Sequence, residues 1–215
     1  MAMLPLFPLG SALLPGAPLP LQIFEPRYVM LLRDLLGDQG VAPVFGVVGI
    51  RQGFEVGDRE NDLYDVGCTA VVEQVGELGD GVFALMATGG RRFRLETLVE
   101  DADTPYDTGV VAYLDEPLGD PGQSAAISVK LAVAIQDYRS SRGLLPADPP
   151  TDPTALSYWA ARALELAPND AQLLLASPDT VTRLGIALRI VHREAALGAQ
   201  LGVLGTIPGG PPSLN

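Results

Sequence analysis

The chain has 215 residues, 47% of them hydrophobic and 19% charged, with 26 acids against 14 bases and a formal net charge of −12. Such a length and apolar content support one well-buried core or two modest ones. The acidic balance argues against nucleic acid, whose phosphates must be met by clustered Lys and Arg, and disfavours an anionic membrane surface.

Charge is also uneven. Residues 1–118 hold 18 acids and 7 bases, whereas residues 119–215 hold 8 and 7, so two segments of different character are expected. The single cysteine, Cys68, has no internal partner for a disulfide and points to a reducing compartment. The apolar N-terminus has no Lys or Arg before Arg27, and Pro5, Pro8, Pro15, Pro18 and Pro20 interrupt it. Neither a secretory signal nor a membrane helix fits that pattern, and a cytoplasmic location is the expectation.

Taken in chain order, Leu4–Leu9 reads as an edge strand, because its prolines cannot donate to a ladder. Residues 27–36 form an amphipathic helix with Pro26 at its first position, Gly37 as its stop, and Met30, Leu31 and Leu35 on one face. Val44–Ile50 and Val66–Val75 are strands. Gly79-Asp80-Gly81 turns the chain into Val82–Thr88, making an antiparallel hairpin. Gly89-Gly90 is a second turn signal, followed by a strand in which Arg92, Arg94 and Glu96 alternate with Phe93, Leu95 and Thr97, as if one face were wet. Val110–Leu114 is the last strand. Six short strands with one early helix suggest a small barrel or strongly curved sheet, since closure protects edges.

The cluster Pro117–Gly122 marks a junction, and helical spacing takes over beyond it. Ile127, Leu131, Ile135 and Tyr138 share one face, and Gly143 ends that helix. Asp152-Pro153 has the form of an N-cap with proline at the first helical position, leading a stripe of Leu156, Trp159, Ala163 and Leu166. Asn169 with Gln172 resembles a capping box, and Ser177-Pro178 opens the last helix, with Val181, Leu184, Leu188, Val191 and Ala195 in register. The expected division is a barrel over 1–117, a helical bundle over 118–204 and a disordered tail over 205–215.

Catalytic constellations are not apparent. A phosphate-cradling loop ends in Gly-Lys-Ser/Thr, but the one lysine, Lys130, lies between Val129 and Leu131. Ser124 and Ser128 stand six and two residues from Lys130, which is poor helical placement for a Ser-Lys pair. His192 reads as a surface residue of the last helix, and Cys68 as a small buried hydrophobe. Glu55, Asp58, Glu60, Asp62 and Asp65 are dense in oxygen ligands, but their spacing does not match a calcium loop. The expectation is no metal and no cofactor.

Several segments resemble the N-terminal, substrate-binding domain family of Lon proteases, especially its stand-alone bacterial members. These are Leu4-Pro-Leu-Phe-Pro-Leu9, Leu14-Pro-Gly16, Leu19-Pro-Leu-Gln-Ile-Phe-Glu-Pro-Arg-Tyr28, Tyr64-Asp-Val-Gly-Cys-Thr-Ala70 and Gly89-Gly-Arg-Arg-Phe-Arg-Leu95. The resemblance implies an α+β fold: a barrel similar to the pseudouridine synthase and archaeosine transglycosylase domain, then helices. It further implies a non-catalytic module or adaptor that recognises unfolded or tagged polypeptides, lacks an ATPase and a peptidase, and serves a separate protease or chaperone.

The residues expected to touch a client are Leu13, Leu14, Phe24, Glu25, Arg27, Tyr28, Arg91 and Arg92. A competing reading assigns Leu21, Ile23 and Phe24 to the core, and has Glu25, Arg27 and Tyr28 pin the first helix. A self-assembling structural subunit, in which the helical half forms a homo-oligomer interface, and a hydrolase of unrecognised type are the alternatives.

Overall fold

A computed structural model describes residues 2–37, 42–52, 62–100, 102–164 and 166–204. Among them, a mixed sheet is built from β1 (Ala2–Leu9), β2 (Pro18–Ile23), β3 (Val44–Gln52), β4 (Asp62–Leu63), β5 (Val66–Gly79), β6 (Val82–Leu98) and β7 (Thr108–Tyr113). Helix α1 (Pro26–Gly37) follows β2, and α2 (Pro121–Ser141), α3 (Pro153–Leu164), α4 (Pro168–Leu175) and α5 (Thr180–Leu204) follow the last strand. Glu55, Asp58, Glu60 and the tail 205–215 lie outside the described residues.

The strand order is β1-β7-β6-β5-β3-β4, with β2 added on β6 and β1 also paired to β3. Far from being an edge, β1 is paired on both sides, and its prolines are accommodated by a division of labour. Ala2–Pro5 run antiparallel to β7, and Leu6–Leu9 run parallel to β3, so each half of the strand is held mainly from one side. The β5–β6 hairpin forms as expected, turning at Asp80 with φ of 53°.

Gly89-Gly90 is not a turn. Val82–Leu98 is one continuous strand, and Gly89 serves close approach instead: a Cβ there would sit 2.1 Å from the Leu14 carbonyl oxygen. Reciprocal bonds, Gly16 N–H to the Gly89 carbonyl and Gly89 N–H to the Ala17 carbonyl, both 2.8 Å, stitch the β1–β2 loop onto β6. Glycine is the residue that lets two backbones meet this closely.

Two clusters of buried side chains carry the apolar core. The smaller gathers Leu4, Leu6, Val48, Phe93 and Val111 inside the sheet. A side chain at Gly67 would strike the Phe93 ring at 2.5 Å, so that glycine makes room for the aromatic. The larger cluster is continuous from Phe7, Ile23, Tyr28 and Phe45 through Leu131, Ile135, Leu156, Leu174, Leu184 and Val191, joining strands and helices.

Helix ends follow local chemistry. Asp152 caps α3 through the Ala155 N–H at 2.8 Å, as the sequence suggests. Asp120 does the same for α2, accepting from the Gln123 N–H at 2.7 Å. The Asn169/Gln172 capping box does not form: Ala167 precedes α4 without a side-chain cap, and the Gln172 amide instead donates to the Val66 carbonyl at 3.0 Å. The last helix starts at Thr180 rather than at Ser177-Pro178, with the Asp179 carboxylate accepting from the Thr182 N–H at 2.7 Å. In α1 the buried face is Tyr28, Leu31 and Leu32, while Met30 turns outward.

Candidate functional site

The stretch between the β1–β2 loop and the start of α1 supplies six of the eight residues expected to touch a client, and they divide sharply. Leu13 and Leu14 are buried in the larger core cluster. The loop is pulled under Gly89, so these side chains fill the interior and offer no contact surface. Tyr28 is likewise buried, stacked on Phe7 with ring centroids 4.1 Å apart.

Glu25 and Arg27 form an ion pair at 3.1 Å, Arg27 lies over the Tyr28 ring at 4.5 Å, and the Glu25 carbonyl accepts from the Tyr28 and Val29 N–H groups. This trio pins the entry of α1, the competing reading of those residues. Phe24, by contrast, is 58% exposed, so the core assignment fails for it while holding for Ile23 at 2%.

The two neighbouring arginines of β6 have opposite fates. Arg91 is exposed and stacks over the Tyr113 ring at 4.5 Å. Arg92, expected on a wet strand face, is 2% exposed, because helices cover that face while Phe93 fills the other. Its Nε donates to Glu116 at 2.6 Å, its Nη1 to the Leu175 and Ser177 carbonyls at 2.7 Å each, and its Nη2 to the Asp115 carbonyl at 3.1 Å. The Leu175 carbonyl at the end of α4 and the Ser177 carbonyl just beyond its C-cap are thereby satisfied by a cation, the sign that a helix C-terminus favours.

Glu116 also accepts from Arg183 at 2.8 Å and from the Tyr158 hydroxyl at 2.9 Å. Arg183 lies over the Tyr158 ring at 4.0 Å and donates to Ser157 Oγ at 2.8 Å. Burial lowers the Arg183 pKa and raises that of Tyr158. Both shifts come chiefly from burial of these two groups, and the network joins the sheet to α3, α4 and α5. A cavity of about 360 Å³ lies beside it, reached past Arg91, Glu116, Asp152 and Tyr158.

Among the described residues, none of the other chemistry-bearing side chains singled out from the sequence joins a shared centre. Cys68 is fully buried, and burial pushes its thiol up to about 12. Lys130 and His192 are exposed on α2 and α5. Asp62 and Asp65 face Arg51 at 3.4 and 3.9 Å.

One groove on the sheet was missed by sequence reasoning. A groove of about 610 Å³ runs between β2 and the distal half of the β5–β6 hairpin, lined by Pro20, Leu21, Gln22, Gln74, Val75, Gly76, Ala84, Leu85 and Met86. Leu85 is its buried floor, while Val75 and Met86 are 37% and 36% exposed on its walls. Glu73 and Glu77 are exposed on the same length of β5.

The outer edge of β2 is blunted. Since the Ala17 carbonyl points toward β6, alternation aims residues 18, 20 and 22 away from it, and two of these three are prolines without an N–H. An added strand would find Gln22 as its single donor along β2, so the groove is shaped for side chains rather than for strand addition. The alternation of Leu19 and Leu21 with Pro18 and Pro20 was the available signal for β2, and the prolines hid it.

These features define an α+β protein built on a mixed sheet, with an open apolar groove at one end and a sealed polar junction to its helices at the other. Residues 3–193 match the family model described as the ATP-dependent protease La (LON) substrate-binding domain, and the chain belongs to that family. Lon protease of Anaeromyxobacter dehalogenans is 26% identical over 201 residues, and Lon protease 2 of Myxococcus xanthus is 27% identical over 199. These matches span 90% and 89% of this chain but 23% and 24% of the relatives, so the chain corresponds to about a quarter of their length.

Among solved structures, a Lon N-terminal domain protein from Xanthomonas campestris superposes with a TM-score of 0.65 at 28% identity, covering 88% of this chain and 98% of that one. The N-terminal domain of a Mycobacterium avium complex Lon protease gives 0.63 at 17% identity, with 91% and 98% covered, a likeness of fold. Among the described residues, no helix is long and apolar enough to cross a membrane.

Proposed function

We propose that this chain is a non-catalytic polypeptide-recognition module that captures exposed apolar side chains of unfolded or tagged segments in the groove between β2 and the β5–β6 hairpin. One observation carries the reading: a groove of about 610 Å³ is walled by Pro20, Leu21, Val75, Ala84 and Met86, a partly exposed apolar surface of the kind that marks binding sites. Membership of a substrate-binding domain family supports it.

Residues 1–118, which include the groove, hold 18 acids and 7 bases. The resulting field favours clients with basic residues beside the apolar anchor and repels acidic ones. Phe24, exposed just beyond the end of β2, extends the apolar surface toward α1. Arg91 lies farther along β6, outside the residues that line the groove, and serves as a rim contact.

In this reading, residues 1–117 form one unit. The pairings β1–β7–β6–β5–β3 return to β1, which supports a barrel of pseudouridine synthase and archaeosine transglycosylase type. Residues 118–204 form a helical bundle locked against it through Arg92 and Glu116. The module acts in the cytoplasm and hands clients to a protease or chaperone.

The test is equilibrium binding of a permanently unfolded polypeptide and of its folded counterpart, each with and without ATP. Binding of the unfolded form alone, indifferent to ATP, is the expected result. Equal binding of both forms, or of neither, overturns the proposal.

A further inference from the structure

Helix α2 is 21 residues long and buries Ser124, Leu131, Ile135 and Tyr138 against its neighbours. Its opposite face is also apolar. Val129 is 67% exposed and Val133 56%, and Gly122, Ala126 and Ser140 are exposed in line with them.

The spacing from 122 to 126, 129 and 133 is a four-three-four stretch of a helix seam, which Ser140 rejoins seven residues on, past the half-buried Gln136 whose side chain is bonded to the Ala147 backbone; the exposed stripe extends over roughly 27 Å at 1.5 Å per residue. Valine is a mediocre helix former because branching at Cβ restricts its rotamers. Two valines standing in solvent on one stripe therefore gain nothing locally and gain much if covered.

The charges beside that stripe indicate what covers it. Lys130 and Asp137 are both exposed, lie two turns apart on the same flank of the seam, and neither forms an ion pair among the described residues. When two copies of one helix pack antiparallel about a two-fold axis, side chains on the same flank meet each other. An axis passing near Val133 sets Lys130 of each copy opposite Asp137 of the other, satisfying both pairs at once. Such self-complementarity is the signature of an isologous contact.

The global charge points the same way. Two copies of a −12 protein repel, and the repulsion is least where charge is nearly balanced; residues 119–215 hold 8 acids and 7 bases.

We infer that the outer face of α2 is a docking surface for a second copy of this chain, forming an antiparallel two-fold helix pair centred near Val133. The groove between β2 and the β5–β6 hairpin takes no part in this contact, and the inference is independent of the polypeptide-recognition reading. A single helix pair falls at the small end of specific interfaces, below about 1,200 Å² in total, so the dimer is weak.

The test is sedimentation velocity of the full chain across a concentration series, with four variants. The parent should show concentration-dependent dimer. Val133→Glu, at an exposed position, should weaken association at least tenfold. Lys130→Asp and Asp137→Lys should each weaken it by placing like charges opposite one another, and the double variant Lys130→Asp/Asp137→Lys should restore it. A monomer at every concentration, a dimer indifferent to Val133→Glu, or a double variant no better than the singles would overturn the inference.

Discussion

The two ends of β6 put one strand to opposite uses. At its start, Ala84 and Met86 form part of an open apolar groove with β2 and β5; toward its end, Arg92 is sealed beneath α4 and joined to Glu116, with Arg183 and Tyr158 on the same carboxylate. The open end leaves hydrophobic surface wet, which a stable fold tolerates where a partner will cover it. The sealed end holds two guanidinium groups on one carboxylate, an arrangement that adds rigidity and definition to the joint between sheet and helices more than it adds stability. The proposed contact surface and the structural anchor thus lie toward different ends of a single strand, and changes at either end should be felt separately.

The largest effect is expected at the sealed end. Glu116→Ala leaves Arg92 and Arg183 without their shared carboxylate, and losing one member of such a network costs on the order of 3 kcal/mol. Chemical denaturation should show this as a fall in midpoint, with binding of unfolded polypeptide by the surviving folded protein unchanged. Gly89→Ala comes next. Its Cβ would meet a backbone carbonyl at 2.1 Å, and forcing the loop off the strand costs about 2 kcal/mol, read in the same measurement. Asp152→Ala removes the cap of α3 for about 1 kcal/mol.

Cys68 sharpens the contrast between sealed and open regions without a structural change. Its thiol is pushed from 9.0 up to about 12, chiefly by burial. An acid whose folded pKa is raised contributes stability that is intact below the unfolded pKa, so this contribution should erode as pH climbs from 9 toward 12. At neutral pH, a thiol reagent should label Cys68 only after denaturation; rapid labelling of the native protein would contradict its burial.

Local chemistry was largely readable in the sequence, and placement across the fold was not. The β5–β6 hairpin, the Asp152-Pro153 cap and the buried stripe Leu131, Ile135 and Tyr138 all depend on neighbours in the chain, and all three form. The family motifs around Leu4–Leu9 and Leu19–Tyr28 were legible as a pattern, although not in their physical roles. Arg92 was misread because strand alternation implies one covered face, whereas here helices 80 or more residues distant supply a second cover. Gly89-Gly90 read as a turn because glycine serves both turns and close approach, and only the position of Leu14 separates the two. Leu13 and Leu14 were misassigned for the same reason: their burial depends on a loop being drawn against β6. The groove itself stayed hidden because β2 was obscured by its prolines.

The central claim, that clients are held at the open end of β6, is tested most directly by Met86→Glu. Met86 is 36% exposed on the groove wall, so a charge there should leave the denaturation midpoint nearly unchanged while driving out apolar side chains. Affinity for an unfolded polypeptide, measured by fluorescence anisotropy beside Arg91→Ala as a control, should fall about tenfold or more for Met86→Glu, equivalent to about 1.4 kcal/mol, and hardly move for Arg91→Ala. Unchanged affinity in a folded Met86→Glu protein would contradict the account and place client binding elsewhere.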